Sequence, residues 1–152
     1  MTYRMGFVLL ALGVAGACAG TRDLTASAPL FDEASARSGA LAVHKNCQFF
    51  TGHAGDFCTI TASNLAAIPV GSVITYRSAA VNGMIVTDIT LDPPGPGENA
   101  ANGHCVVNLA TGNGTCRLAG GTGRFRGFNA SVAVTPLGGP NFAWSGSYYY
   151  DN

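Results

Sequence analysis

The polar residues best suited to ligand chemistry lie around one short turn. Arg77 and Asp88 stand on either side of Asn82-Gly83, a pair of residues that both tolerate positive φ and often form a two-residue turn. Two strands paired about that turn would place the two side chains opposite one another. Together with the neighbouring Tyr76, they are predicted to hold the polar end of a ligand in a barrel mouth. The sequence leaves open a solvated cross-strand salt bridge of little energetic worth.

Other reactive side chains do not form a recognisable catalytic or metal-binding set. His44, His53 and His104 are scattered, and the cysteines lack the CxxC spacing of zinc sites. No GxSxG nucleophile motif occurs in a strand-to-helix setting, and the segment GGTGRFRG lacks the Lys-Ser/Thr of a phosphate loop. We therefore expect no metal site, no cofactor and no surface catalytic triad.

Four cysteines form two pairs with the same spacing. Ten residues separate Cys47 from Cys58, and ten separate Cys105 from Cys116. Each interval has strand-like residues around a turn, which predicts two β-hairpins, each closed by its own disulfide. Four cysteines allow only three connectivities, and oxidised cysteines are typical of exported proteins.

The N-terminus has the pattern of an export signal. Arg4 precedes the apolar run 5–17, and small residues follow it. We expect a signal peptide over 1–19, a flexible tether over 20–40 and a β-barrel domain over 41–152. The protein is predicted to be secreted. Cys18 leaves open the alternative of a lipid anchor at the cell surface, although Ala15 stands where lipoprotein signals usually have a larger aliphatic residue.

Composition excludes several classes of partner. Charged residues make up 11% of the chain and its formal net charge is zero, so no basic surface is available for nucleic acid. After the leader, no apolar segment approaches the length needed to span a membrane. The size of the remaining chain fits one domain.

From residue 41 the chain alternates between strand-like runs and turns. The eight predicted strands are roughly 41–50, 56–63, 71–78, 83–91, 103–109, 114–119, 127–136 and 142–150. In each, bulky apolar residues alternate with smaller or polar ones, as in the series Phe128, Ala130, Val132 and Val134. An eight-stranded antiparallel barrel would bury one such face and remove the exposed strand edges.

The segment 120–128, GGTGRFRGF, resembles the motif of the allene oxide cyclase and dirigent superfamily. Gly103-His104-Cys105 and Gly114-Thr115-Cys116 look like the paired strands that precede the motif in secreted bacterial members. Within the motif, Gly121 and Gly123 are predicted to be needed for backbone reasons, because glycine reaches positive φ without the Cβ penalty.

This resemblance implies an eight-stranded antiparallel barrel, often trimeric in the plant proteins, and a cavity that positions a reactive molecule. No catalytic set of the family can be matched to this chain residue by residue, so the resemblance implies a fold rather than an activity. The leading hypothesis is a secreted barrel that binds an apolar or aromatic small molecule. The alternatives are a cyclase or stereocontrol enzyme of dirigent type, and a non-catalytic extracellular structural or interaction protein.

Overall fold

The protein is all-β, as the alternating pattern predicts. The structure, a computed structural model, describes residues 37–151. The strands are β1 (Ser38–Asn46), β2 (Phe57–Ser63), β3 (Val73–Tyr76), β4 (Met84–Asp92), β5 (Ala101–Asn108), β6 (Gly114–Gly121), β7 (Phe128–Gly138) and β8 (Asn141–Tyr150). A single 3-10 turn, Gly123–Phe125, lies between β6 and β7. Within the described range, no helix is both long enough and apolar enough to cross a membrane.

The eight strands form a closed antiparallel barrel. Each strand pairs with the next one along the chain, and β1 completes the circle by pairing with β8 from Ser38↔Tyr149 to Asn46↔Asn141. Closure leaves no unpaired strand edge. A barrel of eight strands has an interior just wide enough for side chains or one small ligand, so the identity of the inward-facing residues decides what the barrel can hold.

The inward-facing residues follow the predicted alternation. Ala130, Val132 and Val134 of β7 are buried, and so are Ile74 and Tyr76 of β3. Every second residue of a strand points to the same face of the sheet. The faces predicted for these two strands are therefore confirmed.

Aromatic side chains fill one end of the barrel. Phe125 and Phe128 are fully buried there, with ring centroids 5.3 Å apart. Tyr150 packs against Phe128 with ring centroids 5.1 Å apart, and Tyr148 stacks on the same ring at 6.1 Å. Edge-to-face and offset ring contacts of this kind stabilise a core beyond simple burial. This end of the barrel is packed.

Both predicted disulfides are present. Cys105 and Cys116 are directly opposite one another on β5 and β6, and both are buried in the barrel interior. Cys47, just after β1, is joined to Cys58 of β2. Each disulfide thus closes one hairpin, and the two-hairpin interpretation of the cysteine spacing is confirmed.

Some strand boundaries differ from those predicted. β1 begins at Ser38, inside the segment assigned to the tether, and ends at Asn46, so that residues 47–56 form a loop. β3 covers only four residues, because Gly71 has a φ of +89° before it and the Ser78 amide donates to the Thr87 hydroxyl after it. The predicted signal peptide, Cys18 and most of the tether lie outside the described residues.

The glycines of the GGTG segment serve the backbone in two ways. Gly123 has a φ of +56°, and a Cβ there would collide with the side chain of Asn99. Gly121 does not have a positive φ. A Cβ at Gly121 would instead collide with the Ala100 carbonyl, because the two strands approach closely at that point. Glycine is therefore required at position 121 by the close approach of the backbone and not by a positive φ, which differs from the predicted reason.

Candidate functional site

A small cavity lies inside the barrel at the end opposite the aromatic cluster. Its volume is about 60 Å³. One buried water needs roughly 10–15 Å³ and a dry cavity of about 150 Å³ accepts benzene, so this cavity fits a molecule of a few non-hydrogen atoms. It is lined by Lys45, Cys47, Phe50, Cys58, Tyr76, Ile85, Val107, Leu109, Gly112, Val134 and Phe142. Leu109 is partly exposed, so the cavity reaches the surface beside the β5–β6 turn.

Lys45 brings an amine into this cavity. On β1, Leu41, Val43 and Lys45 are alternate residues, and all three point into the barrel. The Lys45 side chain is only 2% exposed, and it is the one charged residue among the buried side chains of residues 37–151. It is also the only lysine in the whole sequence. Lysine is almost never fully buried without a partner, so this position is unusual.

Tyr76 is the direct polar partner of Lys45. The Lys45 Nζ donates a hydrogen bond to the Tyr76 hydroxyl oxygen at 2.7 Å. That hydroxyl in turn lies 3.6 Å from Cys58 Sγ, where its O–H donates to the disulfide sulfur. Burial raises the pKa of Tyr76 well above its ordinary range. Tyr76 is therefore a neutral phenol that keeps its proton.

Aromatic rings surround the Lys45 amine on other sides. The Nζ lies 4.7 Å from the ring centroid of Trp144 and 6.0 Å from that of Phe142. Trp144 is fully buried, and its indole Nε1 is the one buried side-chain nitrogen or oxygen of the described residues without a hydrogen-bond partner. The amine is thus surrounded by ring faces, and it has no carboxylate partner among residues 37–151.

This environment changes the acidity of the amine. Burial lowers the pKa of Lys45 from 10.5 to about 7. The ring faces of Trp144, Tyr76 and Phe142, with centroids 4.7, 5.5 and 6.0 Å from the Nζ, favour the charged form and oppose this shift. Desolvation is the cause of the lowered pKa, and a shift of this size corresponds to roughly 5 kcal/mol. Near neutral pH a substantial share of the Lys45 side chains carries an uncharged, nucleophilic amine.

The loop 47–56 covers one side of the cavity. The Cys47–Cys58 disulfide fastens the loop at its base, and Phe50 packs edge-on against Tyr76 with ring centroids 5.0 Å apart. Farther along, the Gly55 amide donates to the Tyr76 carbonyl at 2.7 Å. The loop therefore shields the Lys45–Tyr76 pair on this side of the barrel.

Asp56 holds the shape of this loop. Its Oδ2 accepts hydrogen bonds from the amides of Thr51 at 2.6 Å and His53 at 2.9 Å. The amides of His53 and Thr51 lower the pKa of Asp56, because they stabilise its charged form. Its carbonyl also accepts from the Tyr76 amide at 2.9 Å, so Asp56 orders the loop 47–56 and joins it to the strand that carries Tyr76.

The three residues predicted from the sequence are divided between the two faces of the barrel wall. Tyr76 faces the cavity, whereas Arg77 and Asp88 are exposed on the outside. Their backbones are opposite one another, with the Arg77 amide donating to the Asp88 carbonyl at 2.9 Å. Their side chains share no hydrogen bond or ion pair with each other, and each has a different partner. The Arg77 guanidinium donates to Thr90 Oγ1 at 2.6 Å, and Asp88 Oδ1 lies 2.9 Å from His104 Nδ1.

Asp88 belongs to a polar row across the outer face. Direct cross-strand pairing continues from Asp88 to His104, Arg117, Ser131 and Ser147. A groove of about 250 Å³ runs beside the last three. All five side chains are exposed, so solvent screens their charges. A role of Arg77 and Asp88 in ligand binding stays a prediction.

The histidines do not gather around the cavity. His44 is on the outer face of β1, His53 is in the loop 47–56, and His104 is paired with Asp88. Within the part of the chain that the structure describes, no three His, Cys, Asp or Glu side chains lie close enough to hold a metal ion.

Lys45 was missed by the sequence analysis, although two signals pointed to it. It continues the alternation of Leu41 and Val43, which places it on the inner face. It is also the only lysine in a chain with few charges. A lysine within a predicted strand is normally assigned to the solvent-facing side, and that assumption hid it.

Comparisons of the chain with protein-family models, with curated proteins and with solved structures find no significant match. The resemblance to allene oxide cyclases and dirigent proteins therefore stays a prediction.

Proposed function

We propose that the protein is a small-molecule-binding barrel whose site is the Lys45–Tyr76 cavity. The observation that carries this proposal is a buried amine that has a hydroxyl partner and an adjoining cavity but no carboxylate partner among residues 37–151. A barrel with a purely structural role would be more stable with an apolar residue at this position, since burying an unpaired charge is unfavourable. Strongly perturbed groups of this kind concentrate at functional sites.

The cavity supports a ligand with a small polar head. Its volume of about 60 Å³ is too small for an aromatic ring. A carbonyl or similar group could enter and meet Lys45 and Tyr76, while an apolar remainder would rest against Leu109 and Phe142 at the mouth. An apolar or aromatic ligand, as expected from the sequence, fits this site only if its bulk stays outside the cavity.

An enzyme that acts by positioning is the second candidate function. It is favoured by the combination of an amine with a pKa of about 7 and a phenol that stays protonated. A neutral amine can act as nucleophile or base, and the adjacent hydroxyl can donate a hydrogen bond to a developing oxyanion. The barrel and the GGTG turn support membership of the allene oxide cyclase and dirigent superfamily. A homo-oligomer of this chain is part of the same proposal, because the plant proteins of that superfamily are often trimeric.

We also propose that the protein works outside the cytoplasm. Two disulfides support an oxidising compartment, and the leader 1–19 supports export. N-terminal sequencing and the intact mass of the exported protein test this point. A start between residues 18 and 21 is expected, a diacylglyceryl group on Cys18 would show the lipid-anchored form, and a retained leader would contradict export.

Native mass spectrometry of the exported protein tests the binding site. A co-purified small molecule is expected in the parent protein and should be lost in Lys45→Met and Tyr76→Phe. Arg77→Ala and Asp88→Ala are matched controls on the outside of the same wall. Retention in the first two variants together with loss in the second two would overturn the cavity assignment and restore the site predicted from the sequence.

A further inference from the structure

The Lys45 amine is placed to react with a carbonyl group. Its Nζ is buried and has one polar partner in the Tyr76 hydroxyl at 2.7 Å, and the Lys45 side chain lines a cavity of about 60 Å³ that can hold a few non-hydrogen atoms. We infer that Lys45 captures small aldehydes or ketones as a reversible imine. This inference rests on the proposed binding site and names the chemical class of its ligand.

The electrostatics of the cavity favour a neutral carbonyl over an anion. A carboxylate would have to lose its hydration to enter an apolar cavity, and Lys45 is the only cation that lines it. Burial also disfavours the charged ammonium that would attract the anion. A neutral electrophile meets neither penalty, so its carbonyl carbon can approach the amine without a desolvated ion pair.

The uncharged fraction of the amine is large enough for the reaction. With a pKa of about 7, roughly half of the Lys45 side chains are neutral at about pH 7. For an ordinary lysine the neutral fraction at that pH is about one in 3,000. The site therefore presents on the order of a thousand times more nucleophilic amine than an exposed lysine would.

Tyr76 can move the protons that imine formation requires. The Nζ lone pair forms the C–N bond, and the carbonyl π electrons pass to oxygen. The Tyr76 hydroxyl gives its proton to that oxygen while it accepts one from nitrogen, so no phenolate accumulates, in keeping with its raised pKa. A second exchange turns the carbinolamine hydroxyl into water, which leaves as the C=N bond forms. The net reaction joins one amine and one carbonyl with loss of one water.

The test uses acetaldehyde and sodium cyanoborohydride, which reduces an imine to a stable ethylamine. Because Lys45 is the sole lysine, the chain's α-amino group is the only other primary amine and is an internal reference. At about pH 7 we expect peptide mapping to find the ethyl group mainly on Lys45 in the folded protein. In guanidinium the α-amino group should dominate, and the Lys45 to α-amino labelling ratio should fall about a thousand-fold.

Two variants and a second probe separate the possible outcomes. Tyr76→Phe should slow Lys45 labelling at least about ten-fold while leaving α-amino labelling unchanged, and Lys45→Met should be labelled at the α-amino group alone. The second probe is acetate, an anion of about the same size as acetaldehyde, whose binding is followed by the NMR signals of residues that line the cavity. A labelling ratio that is the same in the folded and unfolded chains would overturn the imine inference.

Failure of the inference and failure of the proposed function give different results. If acetaldehyde leaves Lys45 unmodified but acetate shifts the NMR signals of Tyr76 and Phe142, the cavity binds anions and only the imine step is wrong. If acetaldehyde leaves Lys45 unmodified, and neither acetaldehyde nor acetate shifts the NMR signals of Tyr76 and Phe142, both the imine inference and the proposed binding site are refuted.

Discussion

Replacement of Lys45 by methionine should stabilise the protein at neutral and mildly acid pH. Methionine keeps the unbranched shape of the side chain and removes the amine. In the folded protein the amine has a pKa of about 7, against 10.5 in its usual state. Between these values the unfolded chain binds a proton that the folded chain does not, so folding is opposed in that range.

The sign and size of the effect follow from the two pKa values. Below about pH 7 both states are protonated and the full penalty, roughly 5 kcal/mol, is present. As the pH rises from about 7 towards 10.5, the penalty declines by about 1.4 kcal/mol per pH unit. Stability of the parent relative to Lys45→Met should therefore rise by about 3 kcal/mol between about pH 6 and about pH 9.

Urea unfolding with intact disulfides measures this difference. Groups that titrate alike in both proteins cancel, so the pH dependence of the difference reports on Lys45. Tyr76→Phe is the matched control, because it removes the hydrogen-bond partner and keeps the amine buried. Because the amine stays buried, the free energy of unfolding of Tyr76→Phe should still rise with pH relative to that of Lys45→Met. A parent-minus-methionine difference that does not change between about pH 6 and about pH 9 would refute the reasoning about the neutral amine.

Three further variants test other parts of the barrel. Asp56→Asn should lower the free energy of unfolding at neutral pH, because the pKa of the parent carboxyl is lowered in the folded state. The difference from the parent should disappear in acid, where that carboxylate becomes protonated. A difference in urea unfolding that does not depend on pH would contradict this. Replacing both Cys105 and Cys116 by alanine should cost about 3 kcal/mol by loss of the cross-link, and unchanged urea unfolding would argue against it. Gly123→Val should destabilise by at least about 1 kcal/mol because φ is +56°, and an unchanged melting temperature would show that the turn adapts.

Much of the fold could be predicted because closed β-barrels are encoded locally. Alternation along β7 and β8 assigned Val132 and Trp144 to the interior, and the structure buries both. The equal cysteine spacing predicted both disulfides, because a hairpin fixes which residues lie opposite. Strand ends were less predictable, since hydrogen bonds such as that from the Ser78 amide to Thr87 depend on side chains distant in sequence.

The site was harder to predict because its polar members break the hydrophobic pattern. Lys45 is a charged residue on an inner face, and residue type alone assigns lysine to solvent. Arg77 and Asp88 are opposite in the ladder, as expected, but each finds a different side-chain partner. Opposed backbones do not fix side-chain pairing on an exposed face, where diagonal neighbours and those on the next strand are also within reach. Three-dimensional contacts were needed to place the amine, the phenol and the cavity together.

The closure of β1 on β8 has a consequence for the order of folding. All other strand pairs join neighbours in sequence, whereas the contact between Asn46 and Asn141 spans 95 residues. Closing such a loop in a flexible chain costs about 4 kcal/mol of entropy, so the seam should form after the seven hairpins. Lys45 lies on this seam, opposite Phe142. Burial of the amine is then a late kinetic event, and pulse-labelling hydrogen exchange should find that the amides bonded across the β1–β8 seam are protected later than the amides of β1 bonded to β2 and of β8 bonded to β7.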